Sequence, residues 1–265
     1  MKHLRDAVVR WGALVVLIGV WQLFAVRAHA LFFPPPSAIA AQLVALWLSG
    51  PPNHLFLTPA VAHDVVPSLV RIALGWAIAA ITGVAAGIVV GRSTVISRLV
   101  NPVLQFLRST PGPALIPVFL VMLGTGSTMR VALIAFGSVW PVLLNTIDGV
   151  QSVDVVQLET ARAFGLPLGA RLRHVILPAA MPRIFAGLRI ALSLAIILMV
   201  VSEFVASTDG LGHAIFAAEN AYLLPDMWAG IVLVGILGCG LNALFVAIEY
   251  RALFWYRGAR QRERA

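Results

Sequence analysis

Apolar runs long enough to cross a bilayer recur along this chain, and they decide what it can fold into. They extend from about Trp11 to Val26, Ser68 to Gly91, Leu99 to Leu123, Met129 to Asp148, Ile184 to Ala206 and Met227 to Ile248. A helix rises about 1.5 Å per residue, so about 20 such residues span a hydrocarbon core about 30 Å thick. Only 11% of the 265 residues are charged, against about 25% in a soluble domain. Mean hydropathy is +0.93. The expectation is an all-α, polytopic integral membrane protein with about six transmembrane helices.

Charge narrows the function classes. The net charge of +8 is nearly all arginine, because Lys2 is the only lysine. The arginines fall between the spans, as positive-inside bias requires, and form no single patch, which argues against a nucleic-acid partner. A P-loop needs a lysine inside Gly-x-x-x-x-Gly-Lys-Ser/Thr, and none is available. An ATP-driven role would therefore place the engine in a separate subunit. Cys239 is the only cysteine and the six histidines are scattered, so no disulfide, metal site or cofactor is expected. The chain also lacks a Gly-x-Ser-x-Gly elbow, a His-Glu-x-x-His and sensibly spaced carboxylates. Those absences argue against a membrane-embedded enzyme. A secondary carrier would need ion-coupling groups and internal repeats, and no repeat is visible.

Along the chain, Lys2, Arg5 and Arg10 lead into the first span. Ala28-His-Ala30 resembles a cleavage site, but two tryptophans, Gln22 and the many later spans favour a retained helix. Pro34-Pro-Pro36 opens an outer segment. There Ser37 is expected to cap a short amphipathic helix with Ile39, Leu43, Leu46 and Trp47 on one face. Gly75, Ala79, Gly83, Gly87 and Gly91 form a small-residue stripe for close helix packing within the bundle. Arg92 and Arg98 mark an inner loop. Ser109-Thr-Pro-Gly-Pro113 and Pro117 must break the third span. Residues 1–60 are read as a first span with an outer amphipathic segment, 61–250 as the core, and 251–265 as a basic tail.

The core contains one long polar interruption, residues 150–183. Asp154 and Gln157 read as a capping box opening a short helix, Gly165 as its C-cap, and Pro167 as the stop. A second helix is expected from about Leu168 to Leu177, ended by Pro178. Glu159 offers a carboxylate amid Arg162, Arg171 and Arg173, while Ala161 and Gly165 allow a backbone to come close. A polar element held between spans reads as a dock for a soluble partner. With six spans, the basic N-terminus, Arg92/Arg98, this loop and the tail share one side, the cytoplasmic one. Arg27, Arg71 and Arg130 lie on the other side, where they are expected to snorkel.

Glu159, Ala161, Gly165, Val175, Leu177 and Pro178 together resemble the "EAA" loop of permease subunits in bacterial ABC importers. Thr160 and Val175 depart slightly from the usual residues. Trp21-Gln-Leu, Phe33-Pro-Pro-Pro-Ser, Arg71-Ile-Ala-Leu-Gly, Arg108-Ser-Thr-Pro, Ala114-Leu-Ile-Pro, Asn145-Thr-Ile-Asp-Gly and Val200-Val-Ser-Glu-Phe resemble the nitrate, aliphatic sulfonate and taurine branch. The resemblance implies a type I importer permease fold in the inner membrane, with both termini cytoplasmic. It also implies an ATPase dimer, a second permease expected to be identical, and an extracytoplasmic solute-binding protein. The loop residues Glu159, Ala161, Arg162, Gly165, Leu177 and Pro178 would couple to the ATPase. The solute would be a small anion, with a thiamine or pyrimidine precursor as the alternative.

Three residues are candidates for the solute pathway. Arg108 precedes the break in the third span. Glu203 is a carboxylate within a span, costing roughly 2.5–3.5 kcal/mol on insertion scales unless it meets a cavity or partner. Asn145 can bond between helices or face the path, and Asp148 ends its span.

Overall fold

The computed structural model describes residues 2–28 and 32–256, with side chains from residue 12 onward. The candidate cleavage site Ala28-His-Ala30 and the tail arginines Arg257, Arg260, Arg262 and Arg264 lie wholly or partly outside the described residues. Among the described residues every regular element is helical. The helices are α1 Lys2–Ala28, α2 Pro36–Trp47, α3 Val66–Gly91, α4 Thr94–Ser109, α5 Ile116–Leu123 and α6 Ser127–Gln151. They continue as α7 Val155–Ala163, α8 Leu168–Arg171, α9 Leu177–Glu203, α10 Leu211–Asn220 and α11 Leu224–Ala252. Among the described residues four helical stretches are long and apolar enough to cross a membrane, and a bent pair is a fifth. The chain divides into two compact units.

The first unit comprises residues 1–67 and 208–236. Its α2 begins differently from the expectation. Pro35, extended at φ −65° and ψ 143°, is the residue before the helix, and Pro36 occupies the first turn, where its missing N–H costs nothing. Ser37 is therefore inside the helix and does not cap it. Gln22 of α1 supplies the cap: its Oε1 accepts from the Ser37 N–H at 3.0 Å, and its Nε2 donates to Ser37 Oγ at 3.0 Å. Ile39 and Trp47 are buried, as the apolar face requires, and the Trp47 indole donates to Asp64 at 3.2 Å. The helix α10 was not foreseen from sequence.

The second unit comprises residues 68–207 and 237–265. Its core is α3, α6 and α9. The small-residue stripe of α3 is buried along its length and lies against α6. A Cβ on Gly87 would stand 2.5 Å from Thr146 Cβ, so only glycine allows this approach. Gly187 on α9 meets α6 in the same way, against Asn145. The space left between the helices is filled by Ile72, Ile134, Leu192, Leu198, Met199 and Phe245. Trp76 on α3 donates to the Leu188 carbonyl of α9 at 3.0 Å.

Two prolines that should end helices do not. The chain widens into a single π turn at Val61–Val65 before Pro67 and again at Leu172–Ile176 before Pro178. Val66 N–H bonds the Val61 carbonyl, and Leu177 N–H bonds the Leu172 carbonyl. In an α-helix each proline ring would clash with the carbonyl four residues earlier. The extra residue in the turn relieves that clash. The carbonyl freed by Pro67, that of His63, accepts from Gly210 N–H at 3.1 Å. As a result α8, the π turn and α9 run as one 36-residue rod, Leu168–Glu203. The expected stop at Pro178 is thus overturned.

The third span breaks as the prolines require. Ser93 caps α4 by accepting from Ile96 N–H, so Arg98 lies in a helix, not in a loop. Beyond Ser109 the chain turns by 85° into the short helical segment Gly112–Leu123.

Candidate functional site

The polar interruption folds as the sequence suggested over its first half. Asp154 caps α7, its Oδ1 accepting from Val156 N–H at 2.8 Å. The structure supplies that half of the capping box only. At the other end Gly165 has φ +68°. Its N–H bonds the Arg162 carbonyl at 2.9 Å, and Leu166 N–H reaches back to Ala161 at 3.1 Å. This paired closure satisfies the last carbonyls of the helix, and its left-handed residue is cheapest as glycine. Pro167 then starts the rod.

Of the six loop residues, Ala161 is 4% exposed and packs inward. Glu159, Arg162 and Gly165 face outward, while Leu177 and Pro178 are half-buried. The bend carries an apolar surface that nothing in the described chain covers: Val155, Val156 and Phe164 are 64%, 67% and 81% exposed. Beside it is a groove of about 670 Å³, lined by Thr160, Phe164, Leu166 and Val175 and, from the end of the chain, Trp255 and Tyr256. The part played by Trp255 and Tyr256 was missed. They adjoin α11, and nothing local in sequence ties them to residues so much earlier in the chain.

The second cluster lies at the far end of the rod. Glu203 is fully buried and paired with Arg71 of α3, Nη1 to Oε1 at 2.7 Å. Arg71 itself is only 3% exposed. Ser68 Oγ approaches both carboxylate oxygens at 2.9 Å, and Ser127 at the start of α6 accepts from Arg71 Nε and Nη2. Arg130, also buried, donates from Nη2 to the Ala206 carbonyl at 2.9 Å. Snorkelling is therefore wrong for Arg71 and Arg130: each finds internal acceptors that offset the cost of leaving water. Arg27 is exposed. The sequence held a signal for the pair, since Arg71 and Glu203 are single opposite charges near facing ends of two apolar runs.

The remaining candidates are dispersed. Arg108 is exposed in the last turn of α4, immediately before the bend. Asn145 bonds within its own helix, Nδ2 to the Pro141 carbonyl at 2.8 Å. The α9 residue opposite it is Gly187, which has no side chain to bond, so the expected bridge between helices does not form. Asp148 is exposed, and its carbonyl accepts from Arg183 at 3.2 Å. Among the described residues no group of three or more His, Cys, Asp or Glu is gathered for a metal ion.

Comparison with known proteins gives this geometry a family. The family described as binding-protein-dependent transport system inner membrane component matches residues 79–253. The taurine transport system permease protein TauC of Escherichia coli is 30% identical over 254 residues, covering 95% of this chain and 91% of its own. The nitrate import permease protein NrtB of a Synechocystis strain is 29% identical over 248 residues, covering 94% and 88%. In fold, the MetNI methionine ABC transporter, solved in inward-facing conformations, superposes with a TM-score of 0.62. That match covers 72% of this chain and 94% of the other, at 21% identity. Proteins of this family are transport subunits that work with an ATPase and a substrate-binding protein, and they cross the inner membrane several times. The chain belongs to this family of inner-membrane components of binding-protein-dependent transport systems, as the permease subunit of an ABC importer.

Proposed function

We propose that Glu159–Pro178 is the segment through which the ATPase acts on this permease. The observation that carries the reading is the exposed apolar bend of α7 at the root of the 36-residue rod. A surface of that kind on a polar loop is otherwise costly, and it suits a protein partner. Glu159 and Arg162 supply charge at its edge, Ala161 and Gly165 keep it low, and Leu177 and Pro178 fix where the rod begins. Residues 61–250 form the working core and 251–265 a basic tail, of which Trp255 and Tyr256 line the groove beside the dock.

The solute is a small compound that carries an anionic group, taurine or another sulfonate first and nitrate second. The taurine- and nitrate-named relatives support this class, and the exposed Arg108 beside the bent span offers a fixed positive charge with planar, bidentate geometry. Asn145 and Glu203, whose polar groups are engaged within the protein, are the weaker pathway candidates. The partner permease is a second copy of this chain. The poorly covered α11, with only 6% of its apolar window buried, leaves room for such a contact. Both termini lie in the cytoplasm.

The permease, reconstituted in vesicles with its ATPase and binding protein, is expected to take up labelled taurine when ATP is supplied, with alkanesulfonates competing better than nitrate. Uptake in preference of a solute that carries no anionic group would overturn the assignment. For orientation, Cys239 is first replaced, since it is exposed. A cysteine at Ala170 is then expected to react with impermeant thiol reagent only from the cytoplasmic side, and one at Ala217 only from outside. The reverse labelling would invert the topology.

A further inference from the structure

We infer that Arg71 and Glu203 are positioning residues of the transport cycle, a buried latch that sets how tightly ATP turnover is tied to solute movement. The node joins three helices at one end of the second unit. Arg71 and Ser68 come from α3, Glu203 ends α9, and Ser127 starts α6. The carboxylate is fully buried, the guanidinium nearly so, and they meet at 2.7 Å.

Such a pair is an expensive way to hold helices together. Replacing a buried ion pair by apolar residues of similar volume is often neutral or stabilising, whereas removing one partner strands the other charge. Apolar packing already joins the same helices: Ile72, Ile134, Leu198 and Met199 fill the space between them. What an ion pair adds is an all-or-none character. Separating the ends of α3 and α9 by a small distance costs the whole pair, so intermediate arrangements are disfavoured and two discrete ones remain.

The position of Glu203 gives this consequence for coupling. It is the last residue of the rod whose first residues belong to the proposed dock. At about 1.5 Å per residue the rod is about 50 Å long, and a movement of its root is delivered to the latch through one helix. In this respect the inference rests on the docking proposal.

The test uses the whole complex with its ATPase and binding protein, in lipid nanodiscs for hydrolysis and in vesicles for uptake. Glu203→Gln alone is expected to lower the yield of assembled complex. The paired change Arg71→Met with Glu203→Leu is expected to restore assembly. It should also raise hydrolysis without loaded binding protein and lower solute moved per ATP, by roughly fivefold between them, the low end of measured coupling effects. Wild-type solute per ATP in the paired variant would reduce the node to a structural staple and overturn the inference. Should that variant not assemble, Ser68→Ala decides. It removes one hydroxyl from the carboxylate and keeps the ion pair, so it should raise unstimulated hydrolysis measurably. Unchanged coupling in Ser68→Ala would be equally fatal. Glu159→Lys run alongside separates the two readings. If it behaves as wild type while the paired variant is uncoupled, the latch stands and the dock falls.

Discussion

At the scale of single residues, the protein separates charges that work inside the fold from charges turned outward. Arg71 and Arg130 are buried with internal acceptors, whereas Arg108 is exposed next to a backbone break. Their exposures give opposite expectations on neutralisation. Arg108→Gln should leave the amount of assembled complex and its ATP-driven cycling intact, and should lower taurine uptake per complex by about tenfold, the loss of one charge-assisted contact. Uptake per complex equal to wild type would remove Arg108 from the pathway and leave it as a helix-end charge. Position along the chain does not sort these arginines, because all sit near the ends of apolar runs; Arg71 alone has a cue, the opposite charge of Glu203. Burial depends on the groups that meet them from elsewhere in the chain: Ser127 and Glu203 for Arg71, and the Ala206 carbonyl for Arg130.

At the scale of elements, close approach is the governing constraint. The α3 stripe fits α6 with no spare volume, so any added carbon must push helices apart, at about 1–3 kcal/mol per overpacked position. Gly87→Val is expected to sharply reduce folded, monodisperse protein in detergent, with a milder loss for Gly87→Ala. Gly240→Ala in α11, where an added Cβ meets nothing within 4 Å, should leave the yield unchanged. Equal yields for the Gly87 and Gly240 variants would mean that α3 and α6 are not held by this contact. Much of this level was legible in the sequence: the spacing of the stripe, the break after Ser109 and the cap pair Asp154 and Gly165 all follow from local stereochemistry. The errors have one common source. Ser37 and Pro178 were read by local rules, but Gln22 supplies the cap that Ser37 was given, and a π turn removes the clash that should have stopped the helix at Pro178. Both corrections depend on backbone or tertiary context that a residue's own type does not encode.

At the scale of the whole molecule, the apolar runs indicate a polytopic membrane protein and the loop motif resembles the family that matches residues 79–253. What the sequence could not supply was continuity. The loop and the fifth span read as separate elements, yet they form one helix from Leu168 to Glu203. Under the docking proposal, a partner acting at the α7 bend would move a rod that reaches the buried node. The most direct measurement is ATP hydrolysis by the assembled complex, with and without loaded binding protein, in wild type and in Glu159→Lys. Glu159 is exposed and lies outside the packed core, so the variant should insert and accumulate normally. Stimulation by loaded binding protein is expected to collapse to the unstimulated rate. Full stimulation and full transport in Glu159→Lys, with the ATPase still bound, would contradict the docking proposal.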